Sequence, residues 1–329
     1  MRYVSLGKGG PRVSAVGLGM WEIGSRSWGG SPDVARDLVS SAFENGINFF
    51  DTAEVYGDGR SEEALGSAVR ALGLREHVIV ASKVGGFRPS AYFIVKGAEA
   101  IRRRLGFTPS LLQLHWPPPA WIPLCSVIRG LEEALKKGLT EHIGVSNLSG
   151  HLLERALLCT ASAEIVSDQV EYSLAYRTSE LDVIPVAGGA GVSIIAYSPL
   201  AKGALAGQPS SPRAVQRLDK RFRAASEDGG LQSALEEVSR RLGVSRSATA
   251  LAWLIHKGAV PIPGTTKPAR VKEYASSADV VLPSELVRVL DEASSKYVTA
   301  WGRSYRNLQL MRLVPCGLQY LGIKLMGGA

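Results

Sequence analysis

The feature that most constrains the fold is a regular alternation of short apolar runs with longer amphipathic segments. The apolar runs, often β-branched, predict eight strands, at residues 15–21, 47–53, 78–84, 111–116, 142–147, 165–171, 192–200 and 259–264. They are almost wholly apolar rather than alternating, which is typical of parallel strands covered by helices. Apolar spacing and end signals predict helices between them. The clearest helical segments are residues 31–46, 60–73, 126–138, 231–243 and 247–258.

Eight strand–helix units in 329 residues, with no linker between them, predict an α/β chain that forms one (β/α)8 barrel domain, residues 1–329. A doubly wound open sheet is the alternative, but the first strand carries GLGMW at residues 17–21 instead of a GxGxxG phosphate loop. Residues 1–14 predict an N-terminal β-hairpin beneath the barrel. Residues 298–329 have no place in the barrel and form a C-terminal tail with extra helices.

Composition narrows the class of protein. The chain is 45% hydrophobic and 21% charged, as soluble globular proteins are. Its net charge of +8 is not accompanied by a nucleic-acid-binding motif, so no nucleic-acid partner is expected. Binding of a phosphate-bearing cofactor explains part of the positive charge better. No apolar run reaches the ~18 residues of a membrane span, so no membrane partner is expected either. The protein is expected to be a monomer or a homo-oligomer.

The three cysteines, Cys125, Cys159 and Cys316, stand far apart and show no metal-ligand spacing. This sparse, odd set argues against a disulfide framework and against a metal site. The N-terminus also has no apolar stretch of signal-peptide length. Together these features predict a cytoplasmic protein in a reducing compartment.

Four ionisable residues fall at or just beyond the carboxyl ends of predicted strands: Asp51, Tyr56, Lys83 and His115. Active sites of (β/α)8 barrels form at that end. A histidine in an apolar run such as LLQLHW is more often structural, and each of the other three also has an ordinary structural explanation. As a set they indicate a catalytic site, because a charged group at the end of a buried strand costs free energy unless it is paired or functional.

The four residue types match one kind of reaction. A tyrosine hydroxyl has a pKa near 10, and the Lys83 ammonium, held by the Asp51 carboxylate, lowers it by favouring the phenolate. Neutral His115 would orient a carbonyl oxygen while Tyr56 protonates it. No side chain supplies a hydride, so a nicotinamide cofactor must.

Seven segments of the chain then carry a family resemblance. They are GINFFDTAEVYGDGRSEEALG, ASKV, LLQLHWP, IGVSN, QVEYS, AYSPLAKGAL and PIPGTTKP, in this order. Taken together they resemble the aldo-keto reductase superfamily, and the resemblance covers about residues 4 to 295. The resemblance implies a (β/α)8 barrel, reversible NADPH-dependent reduction of an aldehyde or ketone to an alcohol, and a catalytic tetrad of Asp51, Tyr56, Lys83 and His115, with Tyr56 as general acid and base.

The resemblance also implies a cofactor site. Ser146, Asn147 and Gln169 would hold the nicotinamide carboxamide, Tyr197 would stack on its ring, and the segment from Ser198 to Gly203 would wrap the pyrophosphate. The remaining residues of that site are Pro199, Leu200, Gly264, Thr265, Thr266, Lys267, Arg270 and Glu273. Pro268 is predicted to begin a helix, which places the adenosine 2′-phosphate near a helix N-terminus beside two cations.

The chain departs from the family pattern at three positions. Tyr274 stands where asparagine is frequent, Gly264 where many members have lysine, and Asp168 where asparagine is common. NADPH is still favoured over NADH as the cofactor.

Trp21, Trp116 and Trp301 are the predicted substrate-pocket residues, and they indicate a carbonyl compound with aromatic or apolar bulk. The tail would close over the barrel mouth with Trp301, pack on a neighbouring subunit, or lie on a membrane surface. The alternative function is a cofactor-bound regulatory subunit, similar to the potassium-channel β subunits that resemble this family.

Overall fold

The computed structural model describes residues 1–24, 31–207, 214–301 and 310–325. The strands are β1 Tyr3–Ser5, β2 Arg12–Ser14, β3 Leu18–Gly19, β4 Phe49–Asp51, β5 Ile79–Val84, β6 Leu111–Leu114, β7 His142–Ser146, β8 Ile165–Glu171, β9 Ser193–Tyr197 and β10 Val260–Pro261. The first helices are α1 Trp21–Gly24, α2 Pro32–Glu44, α3 Arg60–Ala71, α4 Ala91–Leu105, α5 Leu124–Lys136, α6 Gly150–Leu157 and α7 Val183–Ala190. The later helices are α8 Ala214–Leu218, α9 Lys220–Glu227, α10 Gly229–Leu242, α11 Arg246–His256, α12 Ala269–Ser276, α13 Ser284–Ala293 and α14 Cys316–Leu325.

Strands β3 to β10 are parallel, and each pairs with its neighbour in sequence. The two ends of this sheet meet, because Gly17 N–H donates to Pro261 O at 2.9 Å and Gly19 N–H donates to Pro263 O at 3.0 Å. The sheet therefore curls into the predicted (β/α)8 barrel. All eight predicted strands are confirmed, β8 with its predicted bounds and the other seven shorter than predicted. The five helical segments named above are confirmed as α2, α3, α5, α10 and α11.

The hairpin closes one end of the barrel. Strands β1 and β2 pair antiparallel, as predicted. Leu6 and Val13 are fully buried and pack against side chains at the amino ends of the barrel strands. That apolar cluster also contains Phe49, Ala81, Leu111, Val166, Ile195, Val260 and Ile262. The hairpin end of the interior is therefore apolar, which leaves polar chemistry to the opposite end.

The helices cover the outside of the barrel through their apolar faces. In α5 the buried residues Leu124, Val127, Ile128 and Leu131 recur at helical spacing. Truncating one such side chain, as in Leu131→Ala, costs about 2–5 kcal/mol of stability. Helix α2 begins at Pro32, a residue suited to the first position of a helix, and the Ser31 side chain before it makes no capping hydrogen bond.

Strand β8 contains a bulge that determines which way Asp168 and Gln169 point. Residues Ile143 and Val145 of β7 pair with Ile165 and Asp168 of β8, so β8 holds one extra residue there. A bulge of this kind changes which side chains face inward. Beyond it, Gln169 points into the barrel, and Asp168 points toward the helices.

One cysteine expectation is wrong. Cys125 in α5 and Cys159 after α6 form a disulfide with a Cα–Cα distance of 4.8 Å. The two residues are 34 positions apart in sequence, and only the packing of α5 on α6 brings them together. The disulfide removes the cysteine argument for a reducing compartment. Cys316 is a free thiol. Within the described ranges, no helix is both long and apolar enough to span a membrane.

Candidate active site

The carboxyl ends of β4, β5 and β6 bring the four predicted catalytic residues together. Asp51 ends β4, Lys83 lies in β5, His115 follows β6, and Tyr56 comes from the loop after β4. Lys83 Nζ donates to Asp51 Oδ1 at 2.5 Å, to Thr52 O at 2.9 Å and to Tyr56 Oη at 3.3 Å. The Tyr56 and His115 rings meet edge to face, with centroids 5.6 Å apart.

Lys83 is fully buried, yet it remains charged. Burial disfavours its ammonium, but attraction from Asp51 and Tyr56 outweighs burial, so the pKa of Lys83 is raised. A buried ammonium is tolerable when it is paired and its protons are bonded, as they are here. The result is a fixed positive charge 3.3 Å from the tyrosine oxygen.

The pKa of Tyr56 differs from the sequence expectation. Lys83 does lower it, as predicted, but burial acts more strongly in the other direction, with Asp51 adding to burial, so the net pKa is raised. The prediction of a lowered pKa is therefore wrong for this structure, because it counted the ammonium without the cost of burying a phenolate. Tyr56 is held as the neutral phenol, with a hydroxyl proton to donate.

His115 is held neutral. Burial lowers its pKa well below the ordinary value, and the Lys83 ammonium adds to that effect. Its Nδ1 is buried without a hydrogen-bond partner among the described residues. Its side chain lines the cavity described below. Neutral imidazole can therefore offer a hydrogen bond to a ligand without acting as a cation.

Sequence reasoning missed one partner of this cluster. Gln113, in the middle of β6, is fully buried, and its Nε2 donates to Asp51 Oδ2 at 3.3 Å. Gln169 Nε2 donates to the same oxygen at 2.8 Å. The only signal in sequence is that Gln113 interrupts the apolar run LLQL. Both amides fix the Asp51 carboxylate from the side opposite Lys83.

The predicted nicotinamide-site residues form a second hydrogen-bonded group. Tyr197 Oη donates to Asn147 Oδ1 at 2.9 Å, and Asn147 Nδ2 donates to Ser146 Oγ at 3.0 Å and to His115 O at 2.9 Å. Ser146 Oγ donates to Gln169 O at 2.8 Å. Asn147 holds a left-handed backbone, with φ 61°, which turns its amide into this group. The group links β7, β8 and β9 beside the Tyr56–His115 pair.

A cavity of about 820 Å³ extends from these groups to the start of α12. Most predicted site residues line it, and Lys83 lies behind its wall in contact with Tyr56. The lining includes Trp21, Asp51, Tyr56, His115, Trp116, Ser146, Asn147, Gln169, Tyr197, Ser198, Pro199, Leu200, Gly203, Gly264, Thr265, Thr266, Lys267 and Arg270. Helix α12 begins at Ala269, one residue after the predicted Pro268.

Two predicted residues are not brought to the cavity. Trp301 is half-buried, donates from Nε1 to Ala175 O at 2.9 Å and stacks on Tyr297. Glu273 accepts from Ser245 Oγ at 2.6 Å, at the start of α11. Both have local partners that hold them elsewhere. The tail prediction also covers residues 302–309 and 326–329, which lie outside the described residues.

Two lining residues, Glu22 and Gln216, were not indicated by the sequence. A Cβ at position 264 would overlap the Glu22 carboxylate, so glycine there makes room for the acid. Gln216 lines the cavity together with Lys202, which belongs to the segment predicted to wrap the pyrophosphate. Lys202 Nζ pairs with Asp219 at 2.5 Å, and Gln216 Nε2 donates to Lys202 O at 2.7 Å. This wall is assembled from segments distant in sequence, so spacing alone could not reveal it.

A parallel eight-stranded barrel with a buried Asp–Lys–Tyr group at its carboxyl end has the architecture of a (β/α)8 oxidoreductase. Comparison with known proteins agrees. The model of the Aldo/keto reductase family matches residues 15–295, so the chain belongs to that family. The family and the oxidoreductase class expected from sequence are thereby confirmed.

Individual relatives cover almost the whole chain. An uncharacterized oxidoreductase of Mycobacterium tuberculosis is 33% identical over 310 residues, which is 90% of this chain and 94% of the relative. A probable voltage-gated potassium channel subunit beta of Arabidopsis thaliana is 30% identical over 307 residues, covering 85% and 92%. The crystal structure of an aldo-keto reductase from Klebsiella pneumoniae in complex with NADPH superposes with a TM-score of 0.73 at 28% identity, covering 89% and 95%.

Proposed function

We propose that this protein reduces an aldehyde or ketone to an alcohol with NADPH, reversibly, with Tyr56 as the proton donor. The observation that carries the proposal is the contact of Tyr56 Oη with the buried Lys83 ammonium at 3.3 Å, at the wall of a large cavity. Such an arrangement can protonate an oxygen of a ligand bound in the cavity.

The residues present fit a nicotinamide dinucleotide. Lys267 and Arg270 supply positive charge near the start of α12, as a 2′-phosphate needs. Tyr197 and the amide of Asn147 lie at the other end, next to His115. The same cations favour NADPH over NADH, and the NADPH complex of the Klebsiella relative supports this choice. When bound, the nicotinamide supplies the hydride.

Each member of the tetrad has a separate task. The Tyr56 hydroxyl donates its proton to the carbonyl oxygen and takes one back in alcohol oxidation. Lys83 stabilises the phenolate left behind, and so opposes in part the burial that raises the pKa of Tyr56. Asp51 holds the ammonium in place. Neutral His115 orients the carbonyl oxygen toward Tyr56.

The substrate side of the cavity favours an aromatic or apolar carbonyl compound. Trp21 and Trp116 line it beside Tyr56 and His115. Large flat side chains next to two hydrogen-bonding groups bind a flat apolar body that carries one polar atom.

The first test replaces Tyr56 with phenylalanine, which keeps the ring and removes the proton. We expect kcat for a panel of aldehydes and ketones to fall about 10²- to 10⁴-fold, because the general acid is lost. The Kd for NADPH, measured by fluorescence titration, stays close to that of wild type. Wild-type turnover in Tyr56→Phe would contradict the proposed mechanism.

The alternative, a cofactor-bound regulatory subunit, is supported by the Arabidopsis channel-subunit relative. It predicts that the tail assembles with another chain. We therefore compare the full chain with one that ends before residue 298, by size-exclusion chromatography and by turnover. A loss of assembly with unchanged turnover favours the regulatory subunit, whereas unchanged assembly with altered turnover favours the reductase.

A further inference from the structure

The C-terminal helix α14 lies beyond the residues that match the family, and it packs behind one wall of the cavity. Trp116 Nε1–H donates to Gln319 Oε1 at 3.0 Å. Gln319 is only 3% exposed and Trp116 only 6%. A buried indole N–H normally has an acceptor, and here the acceptor comes from 203 residues further along the chain.

The acceptor itself is fixed by the tail. Gln319 Nε2 donates to Met311 O at 2.8 Å and to Val314 O at 2.9 Å. These two bonds use both amide protons and determine which way the carbonyl oxygen points. Gln319 Oε1 is therefore held at one position relative to the tail backbone.

The tail is also attached to the proline loop that follows β6. Ala120 N–H donates to Arg312 O at 2.8 Å, and Arg312 Nε donates to Pro118 O at 3.3 Å. Prolines at 117–119 have no N–H to donate, so their segment gains order through such contacts with its carbonyl groups. The tail thus contacts the loop directly after Trp116 as well as Trp116 itself.

Trp116 has little room on its other sides. A Cβ at position 86 would overlap the Trp116 backbone oxygen and indole, so only glycine fits there. The Phe87 ring lies 6.0 Å from Trp116 and 5.3 Å from Tyr320 of α14. Ile323 of α14 joins the same apolar cluster. The indole is enclosed by Gly86, Phe87 and the tail, and the Gln319 bond is the directional contact that sets its rotation.

The Trp116 indole also lies next to the proposed catalytic residues. The Trp116 ring lies 4.8 Å from that of His115, and both residues line the cavity with Tyr56. A rotation of the indole therefore changes the space available to a substrate next to the proton donor. Residues of α14 do not themselves line this cavity in the described part of the chain.

We propose that Gln319 is a positioning residue that holds the Trp116 indole in place, so that the tail sets the size of carbonyl substrate accepted without touching it. This inference rests on the proposed reductase function. It assigns to α14 a role in substrate selection that acts through Trp116 alone, and it predicts energetic coupling between the two residues.

The test is a double-mutant cycle with Gln319→Leu and Trp116→Phe, measured with a bulky aromatic aldehyde and with a small aliphatic aldehyde. In the wild-type background, Gln319→Leu should raise KM for the aromatic aldehyde about fivefold, with kcat within about twofold, as expected for the loss of one buried hydrogen bond. KM for the small aldehyde and the Kd for NADPH should stay nearly constant. In the Trp116→Phe background, Gln319→Leu should have almost no effect.

Leu321→Gln is the matched control, since Leu321 is exposed on the same helix. It should leave both KM values unchanged. If it raises KM as much as Gln319→Leu does, or if Gln319→Leu acts equally with and without the Trp116 indole, the tail acts through general packing and the proposal is wrong.

A second measurement separates this inference from the proposed function. The indole N–H resonance of Trp116, assigned by its loss in Trp116→Phe, should shift in Gln319→Leu and exchange faster with solvent. An unchanged resonance overturns the positioning role whatever the activity. Absence of reductase activity in the wild type, with a shifted resonance, would refute the proposed function and with it the role in substrate selection, while leaving the hydrogen bond established.

Discussion

Two buried aspartates at the same end of the barrel have opposite surroundings. Asp51 points into the barrel and accepts hydrogen bonds from Lys83, Gln113 and Gln169. Asp168 points outward toward the helices, and neither of its carboxylate oxygens has a hydrogen-bond partner among the described residues. Burial raises the pKa of Asp168 well above its ordinary value, the Leu148 backbone amide opposes this, and Asp182 adds to it.

The comparison shows that a buried carboxylate in a barrel strand is not by itself a sign of function. Both residues are buried, and both lie in strands of the barrel. What distinguishes Asp51 is a set of donors contributed by three other strands. Asp168 has only the nearby Leu148 backbone amide in the described part of the chain, so burial dominates and it is held as the neutral acid.

Removing the cation beside Asp51 should have the largest effect. In Lys83→Met, the Asp51 carboxylate stays buried without its counter-charge, and the Tyr56 phenolate loses its stabilising ammonium. We expect kcat to fall by about 10³-fold or more and the free energy of unfolding to fall by about 3–5 kcal/mol. Denaturant unfolding and steady-state kinetics measure the two losses.

A double variant separates the two effects. Asp51→Leu with Lys83→Met removes both charges and should recover much of the stability, because an apolar pair replaces a buried ion pair at little cost. It should not recover activity. Recovery of turnover in the double variant would show that the ion pair serves stability alone.

Replacing Asp51 or Asp168 with asparagine should change the stability of the fold in opposite directions. Asp51→Asn removes the counter-charge of Lys83 and should destabilise the fold by about 3 kcal/mol at pH 7, with loss of activity. Asp168→Asn replaces a carboxyl that resists ionisation and should stabilise the fold by about 1–3 kcal/mol at pH 7. Thermal unfolding of both variants across pH measures the difference.

The pH dependence of Asp168→Asn follows from the raised pKa. Below about pH 3.9, Asp168 is protonated in both the folded and the unfolded chain and costs nothing. As the pH rises above that value, the unfolded chain ionises and the folded chain does not, so wild-type stability is lost and the advantage of the variant grows. A gain that shrinks as the pH rises from 4 to 7 would contradict an unpaired Asp168.

Much of the fold and the tetrad could be predicted from sequence, for physical reasons. Parallel strands must be apolar, and side chains at their carboxyl ends meet at one rim, so Asp51, Lys83 and His115 were recognisable from periodicity. The order of the strands then followed from short connections between neighbouring units.

What failed depends on side-chain packing between distant segments. The Cys125–Cys159 disulfide and the raised pKa of Tyr56 both require knowledge of what lies next to each residue, as does the contact of Trp301 with Ala175. The Gln319–Trp116 bond spans 203 residues and leaves no periodic trace. The bulge in β8 changes the facing of Gln169 and Asp168, which alternation alone cannot place.

The smallest expected effect concerns His115, whose Nδ1 is buried without a hydrogen-bond partner among the described residues. Its pKa lies well below the ordinary value of about 6.5, so above that pH it is neutral in both the folded and the unfolded chain and contributes no pH dependence. Below about pH 6.5 the unfolded chain binds a proton that the folded chain does not, and stability falls by up to about 1.4 kcal/mol per pH unit. His115→Gln should make stability depend less on pH than in wild type between about pH 6.5 and 5. The absolute stability of the variant does not matter, because His142 and the other titrating groups are common to both proteins.

Urea unfolding at several pH values measures the two slopes. Parallel slopes would mean that His115 titrates normally in the fold and that its environment resembles that of an exposed residue.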